Sequence, residues 1–210
     1  AIAVTVTPVN DNAPVITSNG GGPTATISVA ENTGTVTTVT ATDSDVPAPT
    51  LTYSISGGAD AARFAIDAST GALSFVAAPD YEAPADAGAN NVYDVIVMAS
   101  DGTLTDTQAI AVTVTPANDN APVISSNGGG ATAAVSVAEN SSAVTTVTAS
   151  DADLPAQTLA YSISGGADAA LFSIDSATGV LSFNSAPDFE APADVGGNNV
   201  YDVTVQVSDG

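Results

Sequence analysis

The feature that most constrains the fold is an internal repeat with no insertion or deletion between its two copies. The segment "TPVNDNAP" at residues 7–14 returns as "TPANDNAP" at residues 115–122, an offset of 108 residues, the difference between 7 and 115. The same offset relates Glu31 to Glu139. Because a unit of about 100 residues is the size of one domain, the sequence predicts two tandem domains rather than a solenoid of short repeats.

Within one unit, short alternating runs are separated by turn residues. These runs are TATISVAEN, VTTVTATD, LTYSIS, RFAID, ALSF, VYDVIVMAS and AIAVTV. Alternation of apolar and polar residues is typical of half-buried strands. About seven strands in a unit of about 100 residues predict an all-β chain of tandem seven-stranded, Greek-key, immunoglobulin-like sandwiches. Phe64, Ile66, Leu73 and Phe75 are expected in the core.

The domain boundaries follow from where the repeated segments stand. "AIAVTVTP" at residues 1–8 recurs at residues 109–116, directly before the second linker. We therefore expect residues 1–12 to be the last strand of a preceding repeat plus a linker, residues 13–120 to be repeat 1 with its linker, and residues 121–210 to be repeat 2 without its last strand. The chain is then expected to be a window from a longer array. One hypothesis is that the first strand of one copy is added to repeat 2 of another copy, which would make a self-assembling filament.

The charge balance narrows the classes of partner. The chain has 23 acidic residues against one basic residue, a formal net charge of -22. It is therefore expected to repel nucleic acid and to attract cations. With no Cys and no His, thiolate metal chemistry and the usual general base are unavailable. The apolar runs are too short for direct membrane insertion to be expected.

The acids are concentrated at the ends of predicted strands and in the linkers. Successive strand ends of an antiparallel sandwich alternate between its two poles, so the acids of repeat 1 fall into two groups. One group is Glu31, Asp80 and Glu82, and the other is Asp43, Asp45 and Asp101. Like charges gathered in this way repel one another unless a cation neutralises them. Because the donors are oxygens only, calcium is favoured over softer metals.

Six motifs in fixed order resemble the cadherin repeat along essentially the whole unit, and they occur twice. They are AEN, DSD or DAD, FAIDASTGAL or FSIDSATGVL, DYE or DFE, YDVIVMASDG, and NDNAP. The resemblance implies calcium ions (Ca2+) bound between successive repeats. It also implies one complete junction in this chain, with the ligands Glu31, Asp80, Glu82, Asn118, Asp119, Asn120, Asp151, Asp153 and Asp209.

The resemblance also implies two incomplete junctions and shows two departures from the family pattern. The first incomplete junction contains Asn10, Asp11, Asn12, Asp43, Asp45 and Asp101, and the second contains Glu139, Asp188 and Glu190. Pro8 and Pro116 stand where the family usually carries an acid, so two or three ions per junction are expected. The adhesive device in which a Trp enters a partner's pocket does not operate here, because the chain has no Trp.

The implied function is mechanical. The near-identical, Thr- and Ala-rich copies are similar to the cadherin-like repeats of large secreted bacterial proteins. We therefore expect a calcium-rigidified, extracellular stalk or spacer in cell adhesion or biofilm matrix. Its partners would be the neighbouring repeats and, through other domains, a surface polysaccharide or a cell-surface protein.

Two other classes of function stay open from the residues alone. One is a carbohydrate- or protein-binding adhesive module, which would need exposed aromatic residues. The other is an enzyme, such as a glycosidase that uses Asp80 and Glu82. It is disfavoured because the sequence has no pocket-forming insertion and repeats the same acids in each unit. The chain is accordingly expected not to be an enzyme.

Several polar residues have a simpler interpretation as turn formers. The linker Asn-Asp-Asn could itself be only an Asx turn. Asp67 and Asp175, before "STG" and "ATG", are expected to shape hairpin turns. A Gly- and Ala-rich loop is either structural or holds an additional ion. Its polar residues are Asp86, Asn90 and Asn91, with the counterparts Asp194, Asn198 and Asn199. Arg63 becomes Leu171 in repeat 2, so it has no repeated role.

Overall fold

The chain is divided into two structural units. A computed structural model describes all 210 residues, and their contacts separate Ala1–Ala117 from Asn118–Gly210. Both units consist of β-strands and short 3-10 turns, so the prediction of an all-β chain is confirmed. No helix is long and apolar enough to span a bilayer.

The first unit contains nine strand segments. They are β1 (Val15–Ile16), β2 (Thr24–Ala30), β3 (Thr35–Thr38), β4 (Ala41–Thr42), β5 (Thr52–Gly57), β6 (Phe64–Ile66), β7 (Ala72–Phe75), β8 (Val92–Ser100) and β9 (Thr105–Thr115). Each of the seven alternating runs contains a strand, and the run VTTVTATD is divided between β3 and β4. The two-residue strand β1 pairs antiparallel with β4.

Two sheets enclose the core of the first unit. One sheet has the strand order β2-β9-β8-β5 and the other has the order β3-β7-β6. β2 and β9 are parallel, whereas β8 is antiparallel to both β9 and β5. The rings of Phe64 and Phe75 stack with centroids 4.7 Å apart, and Tyr93 meets Phe75 edge-on at 5.2 Å. Phe64, Leu73 and Phe75 are buried as predicted, and Ile66 is half-buried against them.

The second unit repeats most of this plan. Its strands are β10 (Val123–Ile124), β11 (Ala143–Thr146), β12 (Ala149–Ser150), β13 (Ala160–Gly165), β14 (Phe172–Ile174), β15 (Val180–Phe183) and β16 (Thr204–Ser208). The sheet β11-β15-β14 matches β3-β7-β6 of the first unit. The other sheet contains only β13 and β16. Residues 132–138, the counterpart of β2, form no strand.

Residues 1–8 form no strand in this structure and are exposed along their whole length. The sequence predicts this segment to be a strand of a preceding repeat, and the structure contains no neighbouring strand with which it pairs. Strand structure requires hydrogen bonds to an adjacent strand. Alternation of apolar and polar residues is therefore not enough by itself to make residues 1–8 a strand in this structure.

Candidate metal centres

Three carboxylates converge at one pole of the first unit. Asp43 follows β4, Asp45 lies two residues later and Asp101 follows β8. Each offers an oxygen atom within 4.8 Å of the others. Strands that end at the same pole bring these acids together although they are far apart in sequence. The result is a cluster of oxygen donors with no nitrogen or sulfur among them.

Hydrogen bonds hold these three carboxylates in place. The Asn12 side chain donates to Asp45 Oδ1 at 2.6 Å, and this bond is the main reason that the pKa of Asp45 lies below its usual 3.8, although burial opposes the shift. The backbone N–H groups of Leu104 and Thr103 donate to Asp101 Oδ1 at 2.7 and 2.6 Å and hold the pKa of Asp101 below 3.8 as well. Both groups are therefore ionised at neutral pH.

One oxygen atom of this cluster is buried with no hydrogen-bond partner. Asp43 Oδ1 accepts a hydrogen bond from the backbone N–H of Asp45 at 2.8 Å, whereas Asp43 Oδ2 accepts none. A buried carboxylate oxygen without a donor is unfavourable, because it has lost water and gained nothing in exchange. A cation in contact with this oxygen would remove the penalty.

The second unit builds the same cluster from the equivalent residues. Asp151, Asp153 and Asp209 offer oxygens within 4.8 Å of one another, and Asp151 Oδ2 is again buried without a partner. Burial of Asp153 raises its pKa, but hydrogen bonds from the side chain and backbone of Asn120 outweigh that effect, so the pKa stays below 3.8. The Asn120 side chain donates to Asp153 Oδ1 at 2.7 Å. The same unpartnered oxygen thus occurs twice.

A second kind of acidic group lies near the end of β2. Glu31 is only 4% exposed, and its two oxygens accept hydrogen bonds from the backbone N–H groups of Tyr81 at 2.7 Å and Ala117 at 2.6 Å. A carboxylate oxygen of Glu82 lies within 4.8 Å of Glu31. Asp80 instead uses Oδ1 to accept from the N–H groups of Glu82 and Ala83, both at 3.0 Å. In repeat 1, Asp80 therefore shapes the loop that carries Glu82.

The corresponding group in the second unit is open to solvent. Glu139, Asp188 and Glu190 offer oxygens within 4.8 Å of one another, and all three are exposed. Glu139 Oε2 accepts a hydrogen bond from the backbone N–H of Phe189 at 3.0 Å, as Glu31 does from Tyr81. The hydrogen bond from the loop to the glutamate is thus common to both repeats, but Glu31 is buried and Glu139 is exposed.

The linker residues are all exposed. They are Asn10, Asp11 and Asn12 before the first unit and Asn118, Asp119 and Asn120 before the body of the second. Asn12 and Asn120 make equivalent bonds to Asp45 and Asp153. The Asn120 side chain also donates to Asp119 Oδ1 at 2.8 Å.

The remaining acids named from the sequence are tied to the backbone. Asp67 Oδ1 accepts from the N–H groups of Ser69 and Thr70 at 2.9 and 2.8 Å, and Asp175 accepts in the same way from Ala177 and Thr178. These contacts are those of the turn formers that the sequence predicts.

The Gly- and Ala-rich loop is likewise organised by hydrogen bonds to the backbone. Asp86 receives the N–H groups of Asn91 and Asn90, both at 3.0 Å, one on each oxygen. The buried Asp60 receives those of Ala87 at 2.7 Å and Asp94 at 2.9 Å. Asp60 belongs to no motif and is not predicted from the sequence, although its repetition as Asp168 is a usable signal. The four oxygens of Asp60 and Asp86 each accept such a bond, which favours the structural alternative for this loop.

Two tandem, all-β, immunoglobulin-like sandwiches with acidic clusters at their poles define the class of the molecule. A sequence model of the cadherin domain matches residues 25–115 and 133–210. The chain therefore belongs to the cadherin family. The comparison with curated proteins found no match.

Solved cadherin structures have the same fold. The human desmocollin-1 ectodomain is 25% identical with a TM-score of 0.64, and the match covers 96% of this chain and 38% of that one. Protocadherin gammaB7 EC3-6, described as a cis-dimer, is 27% identical with a TM-score of 0.62 and coverage of 99% and 50%. Human protocadherin-24 EC1-2 is 25% identical with a TM-score of 0.62 and coverage of 95% and 94%. The chain thus spans half or less of the first two structures.

Proposed function

We propose that this chain is a calcium-binding, calcium-rigidified extracellular repeat module that acts as a stalk or spacer in cell adhesion or biofilm matrix. The observation that carries the proposal is the unpartnered, buried oxygen of Asp43 and of Asp151, each within a cluster of three aspartates. The feature occurs at equivalent positions of both repeats, and a cation in contact with this oxygen would remove the cost of burying it.

The donor set fits calcium. Calcium takes six to eight oxygen ligands from carboxylates, amide and backbone carbonyls and water. The clusters offer only oxygens, and the carboxylates of Asp45, Asp101 and Asp153 remain ionised because their pKa values lie below 3.8. Bound calcium would supply positive charge that neutralises the acids and ties together the segments that carry them.

Hydrogen bonds at the two ends of the linker support a ligand set that spans the linker. The N–H of Ala117 binds Glu31, and the N–H of Asn120 binds Asp153. These two anchoring residues are three positions apart, a stretch of at most about 11 Å between Cα atoms. We propose a junction of two or three ions with the ligands Glu31, Asp80, Glu82, Asn118, Asp119, Asn120, Asp151, Asp153 and Asp209.

Residues equivalent to those of the junction form two further, partial calcium sites. We propose that Asn10, Asp11, Asn12, Asp43, Asp45 and Asp101 serve one partial site, and that Glu139, Asp188 and Glu190 serve the other.

The proposed extracellular location follows from the calcium affinity of such modules. Extracellular calcium modules bind with dissociation constants of about 10⁻⁴ to 10⁻³ M. Such sites are filled outside cells and empty in the cytosol. The proposed role is mechanical rather than catalytic, in a secreted adhesin-like protein that contacts other partners through other domains.

Small-angle X-ray scattering tests the rigidity. Calcium is expected to increase the maximum dimension of the particle and to narrow its distribution of conformations, because each junction ion is held by residues on both sides of the linker. The control is magnesium at the same concentration, which screens the charge of -22 equally but requires a smaller octahedral site. A maximum dimension that is the same in calcium, magnesium and chelator would contradict the proposal.

A further inference from the structure

The two aspartate clusters are built from equivalent residues, but the loop beside them differs at one position. The second unit has Gln157 where the first unit has Pro49, at an offset of 108 residues, the difference between 49 and 157. Gln157 lies in the segment between β12 and β13, four positions after Asp153. A glutamine side chain offers an oxygen acceptor and an NH₂ donor group, whereas the proline side chain offers neither. The two repeats therefore present one site with and without an amide.

The Gln157 side chain reaches the aspartate cluster of the second unit. Its Nε2 donates a hydrogen bond to Asp153 Oδ2 at 3.4 Å. The Oε1 of the same amide group is buried and has no hydrogen-bond partner. A buried carbonyl oxygen without a donor carries the same kind of penalty as Asp151 Oδ2. The cluster of the second unit is thus accompanied by a second oxygen of this type, which Pro49 cannot supply in the first unit.

The amide can present either of its two ends to the cluster. Rotation by half a turn about the terminal torsion exchanges Oε1 and Nε2, and a torsion of this kind is soft. With no cation present, Nε2 is the favourable end, because it donates to the ionised carboxylate of Asp153. With a cation present, the carbonyl oxygen is the end that is attracted. One side chain therefore suits both states of the site.

We propose that the side-chain carbonyl of Gln157 is an additional calcium ligand, and that it makes the aspartate cluster of the second unit bind calcium more tightly than the equivalent cluster of the first. This proposal rests on the proposed calcium-binding function. Calcium takes six to eight oxygen ligands, amide carbonyls among them, so a further protein oxygen replaces a water molecule in its shell. At the position of Pro49 that water molecule stays.

Charge and burial favour an amide in this place. The chain carries a net charge of -22, and a neutral amide adds an oxygen ligand without adding repulsion among the acids. Asp153 is 1% exposed and Asp45 is 7% exposed, so the amide adjoins the more deeply buried of the two carboxylates. A chain with two classes of site responds to calcium in two steps, and the cluster of the second unit fills at the lower concentration.

A calcium titration of the whole chain, followed by NMR, measures the two clusters separately. The backbone N–H groups of Asp45 and Asp153 are matched reporters, because they donate to Asp43 Oδ1 at 2.8 Å and to Asp151 Oδ1 at 2.9 Å. The calcium concentration at half of the shift change is expected to be lower for Asp153 than for Asp45. Gln157→Met keeps an unbranched side chain without the amide. It is expected to raise the Asp153 midpoint about tenfold and to leave the Asp45 midpoint in place.

Gln157→Glu separates a ligand from a residue that only positions Asp153. Glutamate keeps a side-chain oxygen but has no N–H to donate. A ligand role predicts a midpoint at or below that of the wild type, whereas a positioning role predicts weaker binding, as in Gln157→Met. Thermal unfolding in excess chelator is measured for both variants, because a purely structural amide would lower Tm there and leave the calcium midpoint unchanged.

The first unit supplies the reciprocal variant and the control. Pro49→Gln is expected to lower the Asp45 midpoint without changing that of Asp153. Asn184→Val removes a different amide of the second unit, which donates to the carbonyls of Ala170 at 3.0 Å and Phe172 at 3.3 Å. Val76 stands at the equivalent position of the first unit, so the fold accommodates the change. This control should leave both midpoints where they are.

The outcomes distinguish this proposal from the calcium-binding function on which it rests. If calcium shifts neither reporter in the wild-type chain, the calcium-binding function itself fails. If calcium shifts both, an Asp153 midpoint that is equal in the wild type and Gln157→Met overturns the role of Gln157. A Gln157→Glu midpoint as high as that of Gln157→Met overturns ligation by the side-chain oxygen. An unchanged Asp45 midpoint in Pro49→Gln overturns the inference that this position makes the two clusters differ.

Discussion

At the scale of single residues, the acids of this chain have two distinct roles. Asp67 and Asp86 accept backbone N–H groups and define loops. Asp43 and Asp151 each keep one buried oxygen without a donor. Both kinds look alike in the sequence, since each is an Asp in a polar segment. What separates them is the direction of the nearby backbone N–H groups.

Asp151→Asn tests the second role. Without calcium, the substitution is expected to leave thermal stability unchanged or to raise it, because it removes charge from a site where one carboxylate oxygen has no partner. With calcium, the ion concentration that gives half of the maximum increase in Tm should rise at least about tenfold, since even groups outside the first coordination shell of a metal change affinity by about that factor. The measurement is Tm against free calcium.

Asp175→Asn is the matched control for this substitution. Asp175 lies in the same unit and accepts two backbone hydrogen bonds in its turn. Its replacement should lower Tm equally with and without calcium and leave the calcium midpoint in place. An unchanged midpoint for Asp151→Asn would remove Asp151 from the site.

The sequence predicts the residue groups of these sites only in part. Asp43, Asp45 and Asp101 can be grouped in advance because each lies just beyond the end of a strand, and strand ends alternate between poles. The burial of Glu31 depends on two distant segments, those of Tyr81 and Ala117, whose N–H groups reach its carboxylate, and no short motif encodes that arrangement. Asp60 is missed for the same reason.

At the scale of strands and turns, alternation predicts the strands well where one face is apolar. β9 begins four residues before the predicted run, at Thr105, because its first residues are polar. Gln108 among them is fully buried, and its Nε2 donates to the carbonyls of Gly22 at 2.8 Å and Ser18 at 3.3 Å. A buried amide that donates hydrogen bonds to the carbonyls of a distant loop cannot be recognised from the local sequence pattern. The pattern therefore does not predict where β9 begins.

The turn after Asp67 gives a prediction at this scale. Gly71 has φ +71°, and a Cβ there would meet the Val39 carbonyl oxygen. Gly71→Ala therefore combines a left-handed backbone with a clash against the chain next to β3. Gly102 has φ +99° with open space around it. Gly102→Ala is expected to lose about 1 kcal/mol of unfolding free energy and Gly71→Ala at least about twice that.

Urea denaturation of the two variants measures this difference. Because the two glycines share a positive φ, Gly102→Ala serves as the control for backbone strain alone. Equal losses of unfolding free energy in the two variants would show that the chain moves away from the Val39 carbonyl without cost. The positive φ would then account for the whole effect of Gly71→Ala.

At the scale of the whole molecule, the charge of -22 opposes folding of any calcium-free form. Backbone hydrogen bonds from Thr70, Thr178 and Asn198 oppose protonation, because they hold the pKa values of Asp67, Asp175 and Asp194, respectively, below 3.8. A lowered pKa stabilises the fold above the ordinary value, and this contribution is lost as the pH falls through the lowered one.

Stability in excess chelator should therefore fall as the pH drops through 3.8 and below, because the hydrogen-bonded carboxylates must then take up protons. Saturating calcium should raise stability at neutral pH, because it neutralises the ionised clusters. Thermal unfolding at a series of pH values, with calcium and with chelator, measures both effects. Stability in chelator that does not fall as the pH drops through 3.8 would show that these hydrogen-bonded carboxylates do not stabilise the fold.

The parallel pairing of β2 with β9 also bears on the order of folding. Thr24 and Ala109 are neighbours in the sheet although they are 85 positions apart, the difference between 24 and 109. A chain that is made or exported from its N-terminus first must therefore carry an unpaired β2 edge until the whole of β9 has emerged. Contacts between such distant positions slow folding. Under the proposed secreted role, the four-stranded sheet of the first unit would therefore be completed only after β9 has reached the exterior.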